Sequence, residues 1–214
     1  MNKLFVCADR DGTLIYDEKY HLGRTSDWKS KVRILPTVIK GLKLLKSIPN
    51  TLIYMITNQP GVAIRDFPLL TLEKAHEVSQ YIVEIIKKEG GLIDGYFICP
   101  HATHAYVTKR INYEFDKKMI CDCECTKPKP GMIFDALKKE ELSRDEVDIY
   151  VIGDRSSDVL TAINADGIGI LIPFGNEPGQ IEEVKDMSDP KTYIARNFFD
   201  AAKFIIRDYH KKVI

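Results

Sequence analysis

Apolar positions along this chain follow two alternating periods. A short apolar run at 4–8 stops at the polar string Asp9-Arg10-Asp11-Gly12-Thr13, and over 37–46 the apolar residues fall at 38, 39, 42, 44 and 45, the spacing of a helix. A second cycle repeats this order. Residues 51–57 are β-branched and apolar, Asn58-Gln59-Pro60-Gly61 break the run, and helical spacing resumes over 71–88 until Gly90 and Gly91 stop it. Residues 93–99 read as a third strand and 132–140 as a helix. Ser143 with Glu146 resembles a capping box. The strand at 149–152 leads through Gly153 and Asp154 into a helix over 158–166, and a strand follows at 169–172. A loop over 173–190 and an amphipathic helix over 198–209 complete the pattern.

Strands interleaved with helices predict an α/β fold, a Rossmann-like parallel sheet covered by helices on both faces. Ligands of such sheets bind beyond the carboxyl ends of the strands. Three polar clusters occupy such ends, at 9–13, 57–59 and 153–158, so they are expected to converge. No repeat and no Gly/Ser linker marks a boundary, which predicts one domain over 1–214. The final helix is expected on its own sheet, which favours a monomer.

Composition narrows the function. With 44% hydrophobic and 29% charged residues the chain is an ordinary globular one. Its 31 basic and 31 acidic residues cancel, so no long-range field recruits polynucleotides or anionic membranes, and nucleic acid is an unlikely partner. No apolar run is long enough for a membrane span, and the first residues lack the features of a signal peptide. A cytoplasmic location is expected. Five cysteines are an odd number, and three of them, Cys121, Cys123 and Cys125, alternate in a charged loop downstream of Cys99-Pro100-His101. That arrangement suits a metal better than a disulfide framework. Thiolates with one imidazole favour tetrahedral Zn²⁺, and four protein ligands make such a site structural.

The acidic string carries the chemistry. Asp9 and Asp11 stand two residues apart where a strand ends, so one carboxylate can attack phosphorus while the other moves protons. Two anions facing a phosphate require a divalent cation, and oxygen ligation favours Mg²⁺. Asp154 is a further carboxylate, and Asp158 can hold the coordination shell in place.

The set Asp9-x-Asp11-Gly12-Thr13-Leu14, Thr57-Asn58, Lys127 and Gly153-Asp154-x3-Asp158, in this order, resembles the signature of the haloacid dehalogenase superfamily over nearly the whole chain. The resemblance implies Asp9 as nucleophile, Asp11 as general acid and base, Thr57 and Lys127 as groups that stabilise the phosphoryl oxygens, and Asp9, Asp11 and Asp154 as Mg²⁺ ligands. Lys129 competes with Lys127 for its role, and the resemblance favours Lys127. The string Cys123-Glu124-Cys125-Thr126-Lys127-Pro128-Lys129-Pro130-Gly131-Met132 is similar to that of the D-glycero-D-manno-heptose 1,7-bisphosphate phosphatases and the related histidinol-phosphatase domains. On that pattern Cys99, His101, Cys123 and Cys125 hold Zn²⁺ in a loop at about 99–125, leaving Cys121 and His104 as spares. A register using Cys121 with Cys123 is the alternative. Zinc is expected to order a loop that cannot fold alone and to fix Lys127 against Asp9.

This branch usually has Arg immediately before the Lys, where this chain has Thr126, and a hydroxyl cannot copy a bidentate guanidinium grip. Arg65 falls one place late for a second family arginine, which leaves it a substrate contact or a surface charge. Asp17 and Tyr20 match a family substrate loop and, with Asn58, Gln59, Thr126 and Arg155, form the expected substrate-binding set. His21, Arg24 and Trp28 extend that loop, either over the phosphate or with Trp28 packed on Val32 and Leu35. No large cap domain is visible. The implied activity is a Mg²⁺-dependent phosphomonoesterase acting through an aspartyl phosphate on a small phosphorylated metabolite, foremost a sugar bisphosphate. Histidinol phosphate, a nucleic acid 3′-phosphate and a non-catalytic binding role are the alternatives.

Overall fold

The computed structural model describes residues 2–16, 21–175 and 179–213. Six strands, β1 (Lys3–Ala8), β2 (Leu52–Asn58), β3 (Gly95–Cys99), β4 (Val147–Gly153), β5 (Ile168–Leu171) and β6 (Thr192–Ile194), form one sheet. It runs β3-β2-β1-β4-β5-β6, and every neighbouring pair is parallel. Eight α-helices among the described residues are interleaved: α1 (Trp28–Lys31), α2 (Val38–Lys46), α3 (Leu72–Lys88), α4 (His104–Thr108), α5 (Gly131–Lys139), α6 (Ser156–Asn164), α7 (Gln180–Asp186) and α8 (Phe198–Val213).

A parallel strand covered on both faces must be apolar on both, and its alternate residues feed different cores. Leu4, Val6 and Ala8 of β1 join Ile53, Met55, Tyr150 and Ile152 in a cluster with Leu42 and Leu45 of α2, Val78 and Ile82 of α3, and Ala201 and Ile205 of α8. Phe5 and Cys7 pack instead with Tyr54, Ile56, Ile149 and Val151 against Met132, Ile133 and Ala136 of α5 and Ala162 of α6. The chain leaves β1 toward β2 on one side and later returns to β4 on the other. The carboxyl ends of β1 and β4 therefore flank the point where strand order reverses, the crevice in which such sheets bind ligands.

Some elements depart from the periodicity. The expected loop over 173–190 contains α7, which opens where the Glu182 carboxylate accepts the Gly179 N–H at 3.1 Å and buries Val184 against Val159 and Leu171. Seven residues with one fully buried position carry too little pattern to read. β6 is a half-buried edge strand of three residues with a single neighbour, β5. The third strand begins at Gly95, two residues later than its apolar run. Trp28 is not a lid residue. It is 3% exposed, sits in the same core cluster as Val32 and Leu35, and meets Tyr81 of α3 edge-on at 5.3 Å.

The segment between His101 and Cys123 is structured by more than its clustered cysteines. Phe115 and Ala102 build a small core with Ala63, Ile64, Phe67 and Leu70, and isolated bridges join Ile64 to Phe115 and Ala102 to Ile120. The segment therefore has a small apolar core of its own beside the cysteine cluster expected to hold zinc. Among the described residues no helix is long and apolar enough to cross a membrane.

Candidate active site

The ends of β1, β2 and β4 each deliver part of one cleft of about 500 Å³, lined by Asp9, Arg10, Asp11, His21, Thr57, Asn58, Gln59, Pro60, Tyr106, Arg110, Lys127, Arg155, Ser157 and Asp158. Asp9 follows β1 directly, and its N–H donates to the Ile152 carbonyl at 2.8 Å, which fixes the acid against β4. The turn that follows needs Gly12: its φ is +80°, and a Cβ there would stand 2.4 Å from Asp154 Oδ2. Gly153 plays the same part for Asp158, whose side chain would meet a Cβ at 2.1 Å.

Lys127 is buried between two carboxylates. Its Nζ donates to Asp9 and, at 2.6 Å, to Asp158 Oδ1. Burial alone would lower its pKa, but Asp158 and Asp9 hold it above the ordinary lysine value. Burial raises the Asp9 carboxyl to about 7 against the pull of Lys127, with Asp158 and Asp11 adding to the rise. Burial, with repulsion from Asp9 and Asp158, raises Asp154 to about 8. Asp158 is further held by the Arg155 N–H at 3.1 Å. Lys129, the competing lysine, points elsewhere, to the Asp122 carbonyl and to Glu124 at 2.8 Å.

Asp11 is oriented by a different set. Arg10, wholly buried, grips its carboxylate through Nε at 3.1 Å and Nη2 at 2.8 Å, and Gln59 Nε2 donates to it at 3.0 Å. The same Gln59 nitrogen reaches Thr57 Oγ1 at 2.8 Å, so Gln59 ties the hydroxyl of β2 to the acid of β1. Asn58, expected at the substrate, spends its amide on the Lys127 backbone. Its Oδ1 accepts the Lys127 N–H at 3.0 Å, and its Nδ2 donates to the Lys127 carbonyl at 3.2 Å.

Two groups of metal-binding side chains lie among the described residues. Asp9, Asp154 and Asp158 offer carboxylate oxygens within 4.8 Å of one another. Asp154 Oδ1 is buried with no hydrogen-bond partner, and crowded buried carboxylates with elevated pKa values are relieved by a cation, so this all-oxygen set fits Mg²⁺. The carboxylate of Asp11, expected among these ligands, is engaged by Arg10 and Gln59 instead, and Asp158 stands in the cluster.

Cys99, His101, Cys123 and Cys125 form the second group. Their sulfurs lie 3.1 to 3.5 Å apart, and His101 Nδ1 is 3.4 Å from Cys125 and 3.8 Å from Cys99. The sulfurs stand closer together than the edges of about 3.8 Å that Zn–S bonds of about 2.3 Å define, and the soft donor set of three thiols and one imidazole converging on one point fits Zn²⁺. Cys121 stays outside the group, and His104 pairs with Asp122 at 3.0 Å.

Several expected contacts lie elsewhere. Thr126, expected at the substrate, turns its hydroxyl to Cys99 and Cys123, 2.9 Å from each sulfur. Arg65 is an exposed partner of Glu114 at 2.9 Å and does not line the cleft. Arg155 lines it beside Asp154, 4.0 Å away. Asp17 and Tyr20 lie outside the described residues. Arg10, Tyr106 and Arg110 are cleft residues that no motif marked. The signal for Arg10 was its place between two functional acids, whereas nothing local distinguishes the other two.

Comparison with known proteins gives a consistent set of similarities. Residues 124–201 match the family model described as HAD-hydrolase-like. The histidine biosynthesis bifunctional protein HisB of Blochmanniella floridana is 35% identical over 164 residues, 77% of this chain and 39% of that protein. HisB of Campylobacter jejuni subsp. jejuni serotype O:6 is 32% identical over 164 residues, 77% of this chain and 40% of that protein. The chain thus spans about two fifths of the length of these curated relatives. Among solved structures, D,D-heptose 1,7-bisphosphate phosphatase from B. bronchiseptica, complexed with magnesium and phosphate, superposes with a TM-score of 0.71 at 19% identity, over 96% of this chain and 99% of that one.

Proposed function

We propose that the chain is a Mg²⁺-dependent phosphomonoesterase of the haloacid dehalogenase type acting on small phosphorylated metabolites, with sugar bisphosphates as the first substrate class, a reading supported by its similarity to the HAD-hydrolase-like family model and to HisB. The observation that carries this reading is the buried Lys127 held between Asp9 and Asp158 on a cleft that also presents Asp11 and Thr57. Phosphoryl transfer needs chiefly positioning and charge stabilisation, and this arrangement supplies both.

Asp9 attacks phosphorus, so that an oxygen–phosphorus bond forms to its carboxylate as the ester bond breaks. Asp11, aimed by Arg10 and Gln59, gives a proton to the leaving oxygen. It then takes one from the water that displaces phosphate from Asp9. Thr57 and Lys127 hold the phosphoryl oxygens through this exchange. Asp9 and Asp154, with Asp158 beside them, would hold Mg²⁺, which supplies the countercharge that admits an anionic phosphate among carboxylates. Zn²⁺ on Cys99, His101, Cys123 and Cys125 would tie the loop before Lys127 to the end of β3.

The HisB relatives favour a second reading, in which the substrate is an amino-alcohol phosphate such as histidinol phosphate. A panel of sugar phosphates, sugar bisphosphates, histidinol phosphate and a 3′-phosphorylated oligonucleotide, assayed for Mg²⁺-dependent phosphate release, separates the readings. Asp9→Asn serves as the blank and is expected to lose at least about 10³-fold in rate. Release that persists in Asp9→Asn would remove the aspartyl-phosphate mechanism, and preference for histidinol phosphate would replace the sugar assignment.

A further inference from the structure

The segment between the clustered ligand pairs brings two residues to the cleft that belong to neither the acid motif nor the cysteine motif, Tyr106 of α4 and Arg110 just beyond it. Arg110 is exposed, and no carboxylate among the described residues pairs with it. Its guanidinium lies over the Tyr106 ring, with Cζ 3.8 Å from the centroid. Stacking of this kind fixes the direction of a long side chain while leaving its N–H donors free. Tyr106 is anchored in turn, edge-on to Phe115 of the small core at 6.1 Å. Its hydroxyl is nevertheless buried without a hydrogen-bond partner, an arrangement that a ligand oxygen would relieve. Arg155 lines the same cleft, and both arginines stand close enough to the phenol to oppose the rise that burial gives its pKa. Thr126, meanwhile, faces the sulfurs and contributes nothing to the cleft.

We propose that Arg110, with the Tyr106 hydroxyl, binds a second phosphate of the substrate, distal to the one that Asp9 attacks. The subsite rests on the phosphomonoesterase reading and adds to it a specificity-determining residue borne by an insert rather than by a motif. A stacked guanidinium and a phenol hydroxyl, with a second guanidinium nearby, offer more donors than a carboxylate needs and suit the three acceptor oxygens of a phosphate. The same two cations repel a substrate whose distal group is an ammonium. A cleft of about 500 Å³ is in the range that encloses a small metabolite.

Competition against hydrolysis of p-nitrophenyl phosphate tests this without requiring that the probe itself be hydrolysed. The full chain, loaded with Mg²⁺ and Zn²⁺, is inhibited with a hexose 1,6-bisphosphate, with each of its two monophosphates and with a phosphohydroxy acid. The wild type is expected to bind the bisphosphate about tenfold or more tightly than either monophosphate, the range of a charge-assisted hydrogen bond. Arg110→Ala abolishes that advantage, Arg110→Lys restores part of it, and Tyr106→Phe reduces it. No advantage in the wild type, or an advantage retained in Arg110→Ala, overturns the subsite, as does an Arg110-dependent advantage for the phosphohydroxy acid alone. Absence of p-nitrophenyl phosphate turnover in the wild type would instead sink the phosphatase reading, and the subsite with it.

Discussion

Lys127 owes its position to three unlike partners. Asp9 and Asp158 hold its ammonium, and Asn58 holds its peptide, although Asn58 lies far away in sequence at the end of β2. Removing the cation leaves buried like charges facing one another, which costs about 3–5 kcal/mol when the pair is broken from one side. Lys127→Ala is therefore expected to lower urea stability by several kcal/mol in metal-free protein and turnover by about 10²–10³-fold. Lys129→Ala, which loses only exposed contacts to Glu124 and Asp122, is expected to change neither by more than about 0.5 kcal/mol or its rate equivalent. Kinetics of the two variants with an aryl phosphate, beside their urea midpoints, decide the matter. Loss of turnover in Lys129→Ala alone would reverse the assignment.

Among the elements, the cysteine loop joins two kinds of support. Cys99 closes β3 and meets Cys123, Cys125 and His101, while farther along Phe115 and Ala102 rest on Ile64 and Phe67 in a cluster that contains no cysteine. Stripping zinc is thus expected to loosen the segment around 121–127 and to leave the Phe115 cluster folded. Turnover should fall through a higher KM before the sheet unfolds. Amide exchange of a verified zinc-free sample checks this, and unchanged kinetics in that sample would refute it. The alternating cysteines made a metal-binding loop readable in the sequence, and the resemblance rather than the spacing chose Cys123 and Cys125 over Cys121, but the orientation of Thr126 was not readable. Which way one hydroxyl turns between a metal cluster and a cleft depends on the fold around it, and the neighbouring lysine, not the threonine, faces the acids.

For the molecule as a whole, legibility tracks burial. The central strands β1, β2 and β4 show as continuous apolar runs because both faces are covered, and the polar clusters at their ends show because a strand must stop where such residues begin. α7 and β6 bury too few side chains to impose a period, so the sequence pattern passes over them. The same gradient predicts the order of opening. Amides of β1, flanked by β2 and β4 and fully buried from Leu4 to Ala8, are expected to exchange more than about a hundredfold slower than those of β6. Equal protection in hydrogen exchange would contradict that gradient.

The amide clamp between Asn58 and Lys127 also divides the protein into parts that can change separately. The lysine is fastened to the sheet from one side and to the cysteines from the other, so the residues between His101 and Cys123 hang outside that fastening. On the proposed reading, sequence drift or a loop graft in that insert would rewrite what the cleft recognises while Asp9, Thr57, Lys127 and Asp158 stay registered on β1, β2 and β4.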